Sequence, residues 1–147
     1  MTQSILNLDY KDKRNAFSGR SALVQKNKLN GSSRLRSGKK ELAIIKKQKH
    51  IKNFIFVVGI QKDKDSLNML NTINPLISVI IFTKSKNEKA ENPENLLKIF
   101  NKINKNKKIK TRTIQNPKNA LNYARKIADK RDLVVVAGSI YLVGDLL

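Results

Sequence analysis

Ser139 stands at a break in the apolar stretch "VVVAGSIYLVGDLL": Val134 to Ala137 run into Gly138, the hydroxyl follows, and a second apolar segment begins at once. A glycine-helped turn from strand to helix gathers backbone N–H groups and a hydroxyl, a combination that suits a phosphate or a carboxylate. The same hydroxyl equally serves as the N-cap of its own helix, and the residue pattern leaves both uses open. A second turn of this kind is "GIQKDKD". Gly59 allows a tight exit from a strand, and Asp63 and Asp65 flank Lys64 ahead of an expected helix. Asp63, Lys64 and Asp65 are therefore a candidate anion-binding turn; the competing reading is an N-capped turn with solvated charges.

Other chemistries lack their residues. The chain has no cysteine, which excludes thiolate metal sites, disulfides and cysteine nucleophiles. Its one histidine, His50, sits among lysines with no carboxylate near it in sequence, so neither a metal site nor a histidine-based triad can be built. There is no G-x-x-x-x-G-K-[ST] stretch, and "AGSIY" lacks the second glycine of a G-x-S-x-G elbow. No catalytic residue and no metal ligand is assigned.

The elements that would position these turns follow from periodicity. "NFIFVVGI" (Asn53 to Ile60) is an unbroken β-branched and aromatic run, which predicts a strand buried on both faces, parallel and central. "LISVIIF" (Leu76 to Phe82) predicts a second strand, the alternating "KIKTRTI" one nearer the sheet edge, and "DLVVVAG" a last central strand. Between them, Asp65 caps a helix with Leu67, Leu70 and Ile73 spaced along it, and Asn92-Pro93 and Asn116-Pro117 each read as cap and first-turn proline. "KKELAIIKKQK" predicts a further short helix, and "SIYLVGDLL" a closing one. Strand and helix alternate, so the expected architecture is α/β: a mostly parallel sheet of four to six strands with helices on both faces and right-handed crossovers. Ligands gather at the carboxyl ends of such strands, where both candidate turns fall. Residues 1–38, rich in Ser, Asn and Gly, are expected to be a basic, poorly ordered segment, and residues 39–147 the α/β domain.

Thirty-one Lys and Arg against 11 Asp and Glu give a formal charge of +20. The excess is spread rather than gathered: residues 1–50 carry thirteen bases and three acids, residues 51–147 eighteen and eight. A basic surface predicts weak polyanion binding, and the alternative function it suggests is a nucleic-acid- or ribosome-associated protein using residues 1–38 as an arm. No apolar run approaches the roughly 18 residues of a membrane span. "MTQSILNLDYKDKR" lacks the apolar core of a secretory signal, so a cytoplasmic or organelle-interior location is expected.

Taken together, three stretches carry a family resemblance. Gly59, Asp63, Lys64, Asp65, Met69 and Leu70 fit the pattern G-x-x-x-D-K-D-x-x-x-M-L; Ala120, Leu121 and Ala124 fit A-L-x-x-A; Gly138, Ser139, Tyr141, Leu142 and Gly144 fit G-S-L-Y-L-x-G-E, with Asp145 in place of the Glu. In this order they resemble the C-terminal domain of folylpolyglutamate synthase/dihydrofolate synthase, of the Mur-ligase superfamily, over about residues 40–147. Upstream, "FSGR" (Phe17 to Arg20) is the counterpart of W-P-G-R, and "LNGSSR" of D-G-A-H-N-P, so that Asn30 stands for the Asp and Ser33 for the His. The resemblance implies a Rossmann-like domain that closes over a larger N-terminal domain. It implies a reaction joining glutamate to a folate through an acyl phosphate made from ATP, with Ser139 and Gly138 lining the amino-acid pocket. The phosphate-binding loop and most ATP and Mg contacts belong to the N-terminal domain. The expectation for this chain alone is no cofactor and no turnover, its partner being a separate ATP-binding ligase domain.

Overall fold

The computed structural model describes residues 4–6, 22–26, 32–35, 51–105 and 108–146. Strands β1 (Ser4–Leu6), β2 (Ala22–Lys26) and β3 (Ser32–Leu35) form a small antiparallel sheet in that order. The main sheet holds β4 (Asn53–Gly59), β5 (Val79–Phe82), β6 (Lys110–Thr113) and β7 (Asp132–Gly138), all parallel, in the order β6-β5-β4-β7. Helices α1 (Ser66–Ile73), α2 (Pro93–Asn101), α3 (Pro117–Ile127) and α4 (Ile140–Leu146) follow the four strands in turn.

Strand alternation divides the core into two layers. Phe56, Val58, Ile80, Phe82, Val135 and Ala137 face one way and pack with Met69, Leu70 and Ile73 of α1 and Leu96 and Phe100 of α2. Ile55, Val57, Ile81, Val134 and Val136 face the other and meet Ala120, Leu121 and Ala124 of α3 and Leu142 and Val143 of α4. The expected mostly parallel sheet with helices on both faces is thus the fold observed. Phe82 and Phe100 meet at 5.7 Å between ring centroids, tilted by 59°, the offset geometry that aromatic quadrupoles favour.

The helix starts obey their caps. Asp65 accepts from the Asn68 N–H at 3.1 Å, Asn92 from Glu94 at 3.2 Å and Asn116 from Asn119 at 3.0 Å. Three expectations need correction. The second strand starts at Val79 and not at Leu76, because Asn74-Pro75-Leu76 close a 3-10 turn, the Ile77 N–H donating to the Asn74 carbonyl at 3.2 Å. Leu67 is 45% exposed and lies off the apolar stripe; it is turned about 100° from Ser66, whose face α1 buries with Met69, Leu70 and Ile73. Strand β7 is not central but the outer member of the four-stranded sheet; β1 lies against it, and all seven of its residues are buried. The helix expected over "KKELAIIKKQK", and His50, lie outside the described residues.

Backbone proximity at one point decides which glycines matter. Gly138 has φ +123°, and a Cβ there would stand 2.1 Å from the Gly59 carbonyl oxygen. A Cβ on Gly144, inside α4, would meet nothing within 4 Å. In urea denaturation, Gly138→Ala is expected to cost more than about 3 kcal/mol, since a strained φ and a backbone clash combine. Gly144→Ala should instead raise stability by up to about 1 kcal/mol through helix propensity.

Candidate functional site

The four strands end at one edge, and the segments leaving them are tied together by hydrogen bonds. Gly59 of β4 and Gly138 of β7 are register partners, and just beyond them the Ser139 N–H donates to the Gly59 carbonyl at 3.0 Å. The two turns singled out from sequence are therefore side by side. Gly59 is itself hemmed in: a Cβ there would meet the Leu142 side chain and the Thr83 carbonyl oxygen, each at 3.1 Å. Thr83, fully buried at the exit of β5, donates its N–H to the Val58 carbonyl at 2.8 Å and its hydroxyl to the Gln115 carbonyl at 3.2 Å. One threonine thus links the exits of β4, β5 and β6.

Ser139 is 6% exposed. Its Oγ accepts the Tyr141 N–H at 3.1 Å, and its carbonyl accepts the Leu142 and Val143 N–H groups at 3.1 and 3.3 Å, so it opens α4 as an N-cap. Capping uses a lone pair of the hydroxyl and leaves the O–H proton to be donated elsewhere. Among the described residues no acceptor takes that proton. The capping use does not consume the hydroxyl proton, so the two readings left open by the sequence are compatible.

The Asp63–Lys64–Asp65 turn is arranged differently. Asp65 is engaged as the α1 cap, and Asp63 is exposed. The N–H groups of Lys62, Lys64 and Ser66 donate to the carbonyls of Lys89 (2.8 Å), Gln61 (3.1 Å) and Lys64 (3.0 Å). Within the turn itself the Lys64 N–H is thus engaged, as are the Lys62 and Ser66 N–H groups on either side of it. Gln61 forms a lone antiparallel bridge with Ala90, joining this turn to the segment after β5. Its side chain is buried with Nε2 unpartnered.

Sequence reasoning missed Thr83 and the position of Asp145. The Asp145 Oδ2, in the last turn of α4, accepts the Lys86 N–H at 2.6 Å and so holds the β5–α2 segment against the closing helix. The only signal for Thr83 was a hydroxyl directly after an apolar strand. Of the two degenerate positions, Ser33 lies on β3 in register with Val24, and Asn30 lies outside the described residues. The described residues contain no cluster of three or more His, Cys, Asp or Glu fit to hold a metal ion, and no helix long and apolar enough to cross a membrane.

A parallel sheet covered on both faces, with a hydroxyl-bearing turn where its strands end, is an α/β domain of the Rossmann-like class. The chain belongs to the family of the dihydrofolate synthetase C-terminal domain, whose model matches residues 29–147. Among solved structures, it is similar to folylpolyglutamate synthase of Mycobacterium tuberculosis complexed with ADP and AMPPCP, at 19% identity and a TM-score of 0.62, covering 71% of this chain and 25% of that one. It is similar to Escherichia coli FolC in complex with DHPP and ADP, at 18% identity and TM-score 0.61, over 71% and 23% of the two chains. The bifunctional folylpolyglutamate synthase/dihydrofolate synthase of Yersinia pestis CO92 matches at 17% identity and TM-score 0.59, over 88% and 28%. The chain therefore spans only about a quarter of the length of these enzymes. No curated protein matches it in sequence. Neither fold nor comparisons supports the nucleic-acid or ribosome alternative.

The cap and the free proton of Ser139 can be separated by substitution. Ser139→Ala should lower the stability of the chain by about 1 kcal/mol, and Ser139→Gly by only a few tenths, as for other N-caps. Thermal denaturation followed by circular dichroism would check this order.

Proposed function

We propose that this chain serves as the C-terminal, closing part of an ATP-dependent ligase that joins glutamate to a folate, with the Ser139 hydroxyl donating to a carboxylate of the incoming amino acid. The observation that carries the reading is the unaccepted Ser139 proton at the carboxyl edge of a domain of this family. Gly138 contributes by geometry: only a residue without Cβ lets the turn sit this close to β4. The Asp63–Lys64–Asp65 turn supplies a helix cap through Asp65 and a charged rim.

On this reading the chain supplies no nucleotide–metal site of its own. The sequence has no phosphate-binding loop of the G-x-x-x-x-G-K-[ST] type. Asp65 is engaged as a cap, and the described residues offer no acidic trio for Mg. An acyl phosphate and an attacking amine must be held within about 3–3.5 Å, with the phosphate charge neutralised, and that requires both walls of a cleft. ATP and Mg therefore belong to an ATP-binding domain across the cleft, and this domain contributes amino-acid positioning. Asn30 and Ser33, by resemblance the counterparts of an Asp and a His, carry no carboxylate and no imidazole, so the amino acid is held with less charge than in the family pattern.

Two assays test the proposal. The purified chain should show no glutamate-dependent ATP hydrolysis, whereas mixing it with a separately expressed ATP-binding domain of a folylpolyglutamate synthase should restore turnover. In that mixture Ser139→Gly should raise KM for glutamate about tenfold, the scale of one lost hydrogen bond to a charged group, with the KM for ATP unchanged. Turnover by the chain unaided, or a Ser139→Gly mixture with wild-type KM values, would contradict it. Asn30→Asp combined with Ser33→His should lower the KM for glutamate in the same mixture.

A further inference from the structure

An open groove of about 680 Å³ lies at the opposite, amino-terminal edge of the sheet, away from Ser139. Its lining includes three cations, Lys108, Lys110 and Arg112, and a single acid, Asp132. That acid is buried and already engaged: Oδ1 accepts from Asn53 Nδ2 at 3.0 Å, and Oδ2 from the Asp129 N–H at 3.0 Å. Among the described residues the three cations have no carboxylate partner.

Strand geometry makes the cations converge. Lys110 and Arg112 are two apart on β6 and so share a face, in register with Val79 and Ile81, which belong to the layer under α3. Arg112 is held there. Its guanidinium carbon lies 4.4 Å from the Tyr123 ring centroid, and its Nη1 donates to the Tyr123 hydroxyl at 3.4 Å. Lysines and arginines on an edge strand commonly serve only to block edge-to-edge pairing. That role needs side chains loose in solvent, and it explains neither the aromatic clamp on Arg112 nor the apolar floor of Ile55, Val79 and Ile127 beside it. A fixed guanidinium fork is instead suited to a planar or tetrahedral oxyanion.

We propose that this groove binds a small organic phosphate, with the doubly charged head on Arg112 and Lys110 and an apolar body against Val79 and Ile127. Three cations against the one acid leave the lining about two charges positive, which favours a dianion over a single carboxylate, and the volume lies within the roughly 300–1,000 Å³ of small-molecule sites. The site is independent of the ligase reading, since it shares no residue with the Ser139 edge.

The test is an amide NMR titration of the full chain with phenyl phosphate, inorganic phosphate, benzoate and hexaglutamate. Phenyl phosphate should shift the amides of Lys110–Thr113 and of Tyr123–Ile127, and should bind at least about tenfold more tightly than inorganic phosphate, because only it covers the apolar floor. Arg112→Gln should weaken it about tenfold, and Lys110→Gln, which leaves the Tyr123 contact intact, about threefold or more. Lys98→Gln, on the solvent side of α2, should change nothing. Equal affinity for the two phosphates, equal affinity for benzoate, binding of hexaglutamate alone, or loss with Lys98→Gln as large as with Arg112→Gln would each overturn the proposal.

Discussion

The close approach of β4 and β7 at Gly59 and Gly138 is the constraint on which the rest of the domain depends. In a parallel sheet, neighbouring strands are held by evenly spaced hydrogen bonds, and their exits normally diverge into separate helices. Here the ladder is carried one residue beyond the pair, by the Ser139 N–H on the Gly59 carbonyl. That bond requires Gly138 at φ +123°, with no room for a Cβ. The arrangement fixes where α4 begins, and with it the position of the Ser139 hydroxyl. It also brings Leu142 over Gly59, so that the second core layer closes against the same point.

From that point outward, the edge is held by short polar contacts, some buried and some at the surface. Thr83 joins three strand exits, Gln61 and Ala90 bridge two connecting segments, and Asp145 draws the β5–α2 segment to the last turn of α4. Each pairs a backbone group that the strand ladders do not reach. Within this set of contacts the Ser139 hydroxyl caps the start of α4 and keeps its own proton free of any acceptor among the described residues. Preorganisation of this kind lets a single hydroxyl discriminate a carboxylate without paying to order a loop.

Much of the architecture was legible in the sequence because it rests on local chemistry. The continuous runs of Asn53–Ile60 and Asp132–Gly138 announced buried parallel strands, and each of Asp65, Asn92 and Asn116 caps the helix it was expected to cap. What could not be read depended on strand order and on contacts distant along the chain. That β7 is an outer strand follows from pairing, since burial of both faces in the two core layers looks the same in sequence whether one edge or both edges carry a paired strand. Leu67 fell off its helix stripe because Leu67, Leu70 and Ile73 fit a three-residue spacing that drifts around the helix. Asp145 and Lys86 are 59 residues apart, and no periodicity links them.

The two edges of the sheet thus carry different chemistry: one built of buried hydroxyls and close backbone, the other of clamped and unpaired cations. On the function proposed above, the Ser139 edge is the surface that meets an ATP-binding ligase domain. The most direct measurement is a hydrogen–deuterium exchange footprint of the chain with and without such a domain. Slowed exchange is expected to be confined to residues 59–66 and 138–145. Protection at β6 and the end of α3 instead, or no protection at any domain concentration, would contradict it.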